Sequence, residues 1–333
     1  MNVLMTAASR RVALAQAFQA ALRPFGGRLV VTDVDPSSPA VHVADRAYRV
    51  PYSGDSKYIP ELLGICAAEH ISLVVPTIDD ELVGLASAWE RFAAAGAWVA
   101  CSPPETATLC NDKYLTCTHL RSLGIEAAVS WRPEELPADA PEVLFIKPRV
   151  GRGSVGAFLI RNRRELDFFC GYVSQPVIQE FLQGPEYTID VLCDEQGKAV
   201  SIVPRERIVI RSGVSDRART VNDPCLVSLA ARVVEAIPFR GPVNIQCRMR
   251  GDTPVVFEIN PRFSGGIALT IAAGADFPEM LLALGRGEAL EPSIGRFRAD
   301  LWMTNYETAI FLPGSRLTLP SLAAAPRAFS GAA

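Results

Sequence analysis

Glu258, Asn260 and Arg262 follow one another at two-residue spacing within residues 254–266, PVVFEINPRFSGG. Val255, Val256 and Phe257 before them are β-branched or aromatic and predict a buried strand. Along a strand, residues two apart share a face, so an acid, an amide oxygen and a guanidinium would point the same way. Upstream, residues 243–250 (VNIQCRMR) predict a second strand, with Gln246 two residues after Asn244. The polar turn Arg250-Gly251-Asp252-Thr253 between the runs predicts a hairpin that brings Gln246 near Glu258. Oxygen ligands beside a cation suit a hard metal such as Mg²⁺ holding phosphate oxygens. Taken alone, Glu-x-Asn reads more readily as a polar strand end at a sheet edge.

A metal–phosphate site needs elements that bring further groups to it. Residues 143–146 predict a strand running into Lys147 and Pro148, followed by the loop RVGRGSVG and a strand at 157–160. The backbone amides of such a loop can close over phosphates, with Lys147 adding a positive charge. Gly-x-x-x-x-Gly-Lys-Ser/Thr is absent, and on its own the loop is more readily an ordinary hairpin turn. A helix is expected over residues 105–123 with Lys113 inside it, a Pro- and acid-rich loop at 132–142, and a helix from about Asn162. Strands at 176–181 and 187–193 flank a loop bearing Glu180 and Glu186, whose carboxylates suit ribose hydroxyls or are surface acids near a turn. A strand at 200–210 carries Arg205 and Arg207, with Arg211 just beyond. These arginines suit a carboxylate or phosphate partner, or are solvated strand-face residues. Helices are expected at 221–236, after Gly266 to about 273, and at 278–288.

Nearer the N-terminus, strands at 3–5, 28–32, 73–75 and 97–100 alternate with helices at 11–22 and from the PTIDDEL stretch to about 95. That alternation implies a parallel, doubly wound sheet. The first turn, Thr6-Ala7-Ala8-Ser9-Arg10, is not Gly-x-Gly-x-x-Gly, which disfavours a dinucleotide dehydrogenase. Ser9 and Arg10 fit an anion at a helix N-terminus or a plain N-cap. Asp79, Asp80 and Glu81 fit a substrate amine beyond a strand end or the acids of a helix's first turn. Ser102-Pro103-Pro104 reads as a boundary.

The length of 333 residues suggests two or three domains, and the net charge of −3 gives no sign of a nucleic-acid partner. No run approaches the roughly 18 apolar residues of a membrane span. The basic pair of MNVLMTAASRR follows its apolar run, the wrong order for a signal peptide. The eight cysteines form no Cys-x-x-Cys and read as buried free thiols of a reducing cytoplasm. His42, His70 and His119 are isolated, which speaks against zinc. The small-residue tail at 322–333 reads as loosely ordered.

Five stretches in order, NDK (111–113), IKPRVGRGSVG (146–156), QEFLQGPEYTIDV (179–191), VNIQ (243–246) and FEINPRFSGG (257–266), resemble the ATP-grasp superfamily. The likeness is to its carbamoyl-phosphate-synthetase-like ligases, which join a carboxylate to an amine, and it runs over residues 1–290. It implies an α/β fold with an N-terminal doubly wound domain (1–107), a small α+β lid (108–182) and a C-terminal antiparallel-sheet catalytic region (183–333).

By position in the resemblance, Lys113 and Lys147 match the residues that grip ATP phosphates, and Gly151, Gly153, Ser154 and Gly156 the phosphate-covering loop. Glu180, Phe181 and Leu182 match the adenine-contacting stretch, and Glu186 the ribose acid. Gln246, Glu258 and Asn260 match magnesium ligands, with Mn²⁺ a substitute metal. Arg262 matches the arginine that steadies the transferring phosphoryl group, which makes Glu258, Asn260 and Arg262 the catalytic set. Ser264, Gly265 and Gly266 would face the acyl substrate, with Arg205, Arg207 and Arg211 as candidates for its carboxylate. Arg152 departs from the small residues usual in the loop, and the third region reads as short at its C-terminus.

The implied reaction forms an acyl phosphate and ADP, and an amine then attacks the activated carbonyl under a lid that excludes water. Such phosphoryl transfer asks for positioning and charge neutralisation, which agrees with a site lacking catalytic Ser, Cys or His. The expected partners are a small-molecule carboxylate and amine, with no nucleic acid and no membrane, in a cytoplasmic protein for which a homodimer is the prior expectation. The alternative is a non-catalytic ATP-binding module or a subunit of a larger synthetase.

Overall fold

The structure is a computed structural model that describes residues 1–314 and 317–321. The tail at 322–333, expected to be loosely ordered, lies outside the described residues. The chain divides into two compact units: Met1–Ala100 with Pro278–Glu288 and the chain from Glu307, and Cys101–Phe277 with Ala289–Tyr306.

In the first unit, β1 (Asn2–Met5), β2 (Leu29–Asp33), β3 (Arg46–Arg49), β4 (Ile71–Val75) and β5 (Trp98–Val99) form a parallel sheet of order β3-β2-β1-β4-β5. Val3, Leu4 and Met5, Leu29 to Val31, and Leu73 to Val75 are all buried, as strands covered on both faces require. The intervening helices are α1 (Val12–Leu22), α2 (Tyr58–Ala68), α3 (Asp79–Ser87) and α4 (Trp89–Ala94). The single helix expected to about 95 is thus two, parted at Ala88, whose φ of −102° and ψ of 9° leave the helical range. Glu81 is buried and accepts from the amide of Thr77 at 2.8 Å and the hydroxyl of Tyr58 at 2.5 Å, so it takes the helix-start role.

In the second unit, α5 (Pro104–Asn111) and α6 (Lys113–Ser122) replace the continuous helix expected over 105–123. Asp112 breaks it: its side chain accepts from the amides of Tyr114 and Leu115 and caps α6. Lys113 therefore opens a helix instead of lying inside one. Next come β6 (Ser130–Trp131), β7 (Leu144–Pro148), β8 (Phe158–Ile160), α7 (Arg163–Tyr172) and β9 (Pro176–Glu180). The four strands make an antiparallel sheet of order β6-β9-β7-β8. Leu144, Ile146, Ile160 and Ile178 pack with Leu166 of α7 into a small separate core.

The larger sheet and its helices follow: β10 (Glu186–Cys193), β11 (Ala199–Arg211), β12 (Val214–Thr220), α8 (Pro224–Ala236), β13 (Gly241–Arg250), β14 (Thr253–Asn260), α9 (Ile267–Ala272) and β15 (Trp302–Thr304), while α10 (Phe277–Gly285) belongs from Pro278 to the first unit. Its strand order is β14-β13-β10-β11-β12-β15, antiparallel throughout. One face carries Ile189, Val191, Ile202, Ile245 and Ile259, buried against Leu226, Leu229, Ala230 and Val233 of α8. Every cysteine is free, and only Cys225 is exposed. Burial pushes the Cys66 and Cys193 thiols up to about 12. No helix among the described residues is long and apolar enough to cross a membrane.

Candidate active site

The face of the large sheet turned away from α8 is polar, because side chains alternate along each strand. Register sets its rows. Glu258 lies opposite Gln246, Gln246 opposite Thr188, and Thr188 opposite Arg205. One row along, Asn260 faces Asn244, which faces Asp190; one row back, Arg248 faces Glu186. The predicted hairpin is present, with a bulge: Cys247 pairs with Val256, which leaves Phe257 as the extra residue and keeps Glu258 and Asn260 aimed together. Asn260 Nδ2 donates to Glu258 Oε1 at 3.1 Å.

The small sheet supplies cations. Lys147 at the end of β7 is buried, its Nζ 3.9 Å from Glu258 Oε2, 3.4 Å from the Phe257 carbonyl it donates to, and 5.0 Å over the Phe257 ring. Burial pushes its amine below the usual lysine range, with Lys113 adding to the fall, while Glu258, Cys117 and Glu186 oppose it. Lys113 donates through Nζ to Gly151 O at 2.7 Å and through its amide to Arg149 O at 3.0 Å. Arg149 in turn pairs with Asp112, the residue that caps α6. The loop between β7 and β8 holds Gly153, Ser154 and Gly156 at φ of 67°, 59° and 71°.

Glu180, Phe181 and Leu182 line an open cleft of about 480 Å³ with Met249, Arg250 and Gly251. Glu180 accepts from the Val129 amide at 2.8 Å and pairs with Arg250. Arg248 donates to the Leu182 and Gly184 carbonyls, both at 3.3 Å, and pairs with Glu186. Glu186 also accepts from Arg207 at 2.7 Å, so its carboxylate sits between two guanidiniums.

Arg205 is fully buried: Nε donates to Asp190 at 2.7 Å and Nη2 to Ser264 at 2.9 Å. A Cβ on Gly266 would lie 2.6 Å from Arg205 Nη1, so glycine permits that approach. Gly265 is similarly crowded, its Cβ position 2.9 Å from Val214. Arg262 donates from its amide to Asn260 O at 2.8 Å and from Nη1 to Phe263 O at 3.2 Å. Arg211 stands apart at the end of β11, 65% exposed and 3.5 Å from Asp216.

The residues present fit ATP and magnesium. Gln246, Glu258 and Asn260 give one carboxylate and two amide oxygens, a hard-metal donor set. Lys113, Lys147, Arg207, Arg248 and Arg262 give the excess positive charge that a polyphosphate needs. Asp190 Oδ1, Asn244 Oδ1, Arg205 Nη1 and Arg207 Nε on this face are buried without a hydrogen-bond partner among the described residues. Among the described residues no cluster of three or more His, Cys, Asp or Glu side chains forms. Sequence reasoning passed over Asp190 and Arg248, although each lies at an even spacing from a residue it did name.

Residues 173–309 match the family model described as ATP-grasp in the biosynthetic pathway with Ter operon, and residues 3–100 match the PylC-like N-terminal domain. The first match likens residues 173–309 to ATP-grasp proteins. It is 25% identical to the carbamoyl phosphate synthase large chain of Thermus thermophilus over 299 residues, 81% of this chain and 28% of that one. Its fold is similar to the biotin carboxylase domain of 2-oxoglutarate carboxylase from Hydrogenobacter thermophilus, solved with MgADP, ADP and bicarbonate. There the TM-score is 0.71 at 15% identity, covering 90% of this chain and 73% of that one. The L-amino acid ligase of Bacillus licheniformis matches with TM-score 0.68 at 19% identity, covering 90% and 77%. The chain spans a third or less of the length of the first curated relatives it matches.

Proposed function

We propose that the chain is an ATP-dependent carboxylate–amine ligase acting on small molecules through an acyl phosphate. The observation that carries this reading is Gln246 opposite Glu258 with the buried Lys147 amine 3.9 Å from the carboxylate. Gln246, Glu258 and Asn260 would hold Mg²⁺, which would bridge phosphate oxygens and offset their charge; Mn²⁺ suits the same oxygen donors. Lys113 and Lys147 would grip the phosphates, with the loop bearing Gly153, Ser154 and Gly156 above them. Glu180, Phe181 and Leu182 would take the adenine, and Glu186 the ribose hydroxyls. Arg262 would steady the γ-phosphoryl group as the carboxylate oxygen attacks it. The turn Ser264-Gly265-Gly266 would face the acyl group, with Arg205 acting on it through Ser264 and Arg211, paired with Asp216, at the strand end.

The printed name of the L-amino acid ligase supports ligation, and the lid (108–182) and catalytic region (183–333) are part of the proposal, although the fold groups Pro278–Glu288 and the chain from Glu307 with the first unit. A homodimer in the cytoplasm completes the proposal. The test is an ADP-release screen against amino acids and small carboxylates, with and without amines. ADP release that needs both substrates is expected.

A second reading, an ATP-binding module or subunit of a larger synthetase, is favoured by the 28% share of the Thermus large chain that this chain spans. ATP binding without substrate-dependent ADP release would select it.

A further inference from the structure

We propose that Arg207 is a positioning residue that locks the β11–β12 turn onto the glycine loop and so ties the ribose end of the site to the phosphate end. The role rests on the nucleotide site read above. Arg207 is only 5% exposed, and its guanidinium reaches three groups that belong to different parts of the fold. Nη1 donates to Glu186 Oε1 at 2.7 Å and to Gln246 Oε1 at 3.3 Å, while Nη2 donates to Gly213 O at 2.7 Å.

Gly213 is the next link. It sits in the turn between β11 and β12 at φ 75°, and a Cβ there would lie 2.7 Å from Gly153 Cα and 2.9 Å from Gly153 C. Two glycine turns from different sheets therefore touch backbone to backbone. Beyond Gly153, the same loop accepts from Lys113 at Gly151 O, 2.7 Å away. The chain of contacts runs unbroken from Glu186 through Arg207, Gly213 and Gly153 to Lys113.

The direction of the effect follows from charge. A divalent cation drawn to Gln246 would repel the guanidinium from that oxygen and leave it on Glu186 and Gly213. Metal and nucleotide would thus press the turn against the loop. Only a planar fork of donors serves all three acceptors; a lysine ammonium reaches them as a single point and holds fewer.

The experiment is hydrogen exchange on the full chain with and without AMP-PNP and Mg²⁺, for the wild type, Arg207→Lys and Gly213→Ala, with thermal midpoints to check folding. In the wild type, AMP-PNP slows exchange at 150–156 and 211–214 together. Without nucleotide, Arg207→Lys speeds exchange at least threefold in both segments, while the β13–β14 hairpin keeps wild-type protection. Gly213→Ala speeds exchange at 150–156 with Arg207 in place, by pushing the turns apart. Wild-type exchange of both segments in nucleotide-free Arg207→Lys overturns the proposal. If AMP-PNP leaves the wild type unchanged while Arg207→Lys loosens both segments, the link stands and the ATP reading falls.

Discussion

Gln246 and Glu258 face each other across the β13–β14 ladder, and the bulge at Phe257 keeps the acid on the polar side. This cross-strand pair is the oxygen cradle on which the nucleotide reading rests. On that reading, Gln246→Ala would remove one neutral oxygen donor and leave the ladder intact. The Mg²⁺ concentration giving half-maximal ATP binding should rise about tenfold, equivalent to about 1.4 kcal/mol, with an unchanged unfolding midpoint. Magnesium titration at fixed ATP measures it.

Lys147 carries a pH signature. Its amine lies below the ordinary lysine value of 10.5, through burial first and Lys113 second. Between that lowered value and 10.5 the unfolded chain binds the extra proton, so the Lys147 contribution to stability rises with pH through the window. Polyphosphate favours the charged amine, so ATP binding in the same window should take up protons. Calorimetry in buffers of different ionisation enthalpy reads the uptake, and Lys147→Met should abolish it.

Asp112 breaks one expected helix into two and fixes Lys113 at the second one's start. Asp112→Ala loses the cap, about 0.5–2 kcal/mol, and frees Arg149. Urea unfolding should show that loss, and ATP should bind more weakly because Lys113 is no longer held.

Gly266→Ala would set a methyl 2.6 Å from Arg205 Nη1. The buried Arg205–Asp190 pair must shift, with a loss of about 1–3 kcal/mol. Thermal unfolding measures it, and an unchanged midpoint would show that the turn yields without strain.

The hairpin geometry was legible because two-residue spacing survives folding: Glu258 and Asn260 share a face, and Gln246 lies opposite Glu258. The parallel sheet was legible from short apolar runs such as Leu73 to Val75, which are buried on both sides. The strand β12 was not, since its buried positions are Ser215, Ala218 and Thr220 and give no apolar alternation. The break at Asp112 was missed because periodicity runs through it, and only the capping geometry separates α5 from α6. The Arg207–Gly213–Gly153 contact joins residues 153 and 213 from two sheets, which no local pattern encodes.

The central claim is that the polar face of the large sheet holds a magnesium–nucleotide complex through Glu258. Calorimetric titration of ATP into the wild type and Glu258→Ala, each with and without Mg²⁺, tests it most directly. Mg²⁺ should tighten ATP binding about tenfold or more in the wild type and have little effect in the variant, at equal thermal midpoints. A variant that keeps the full magnesium response would contradict the account.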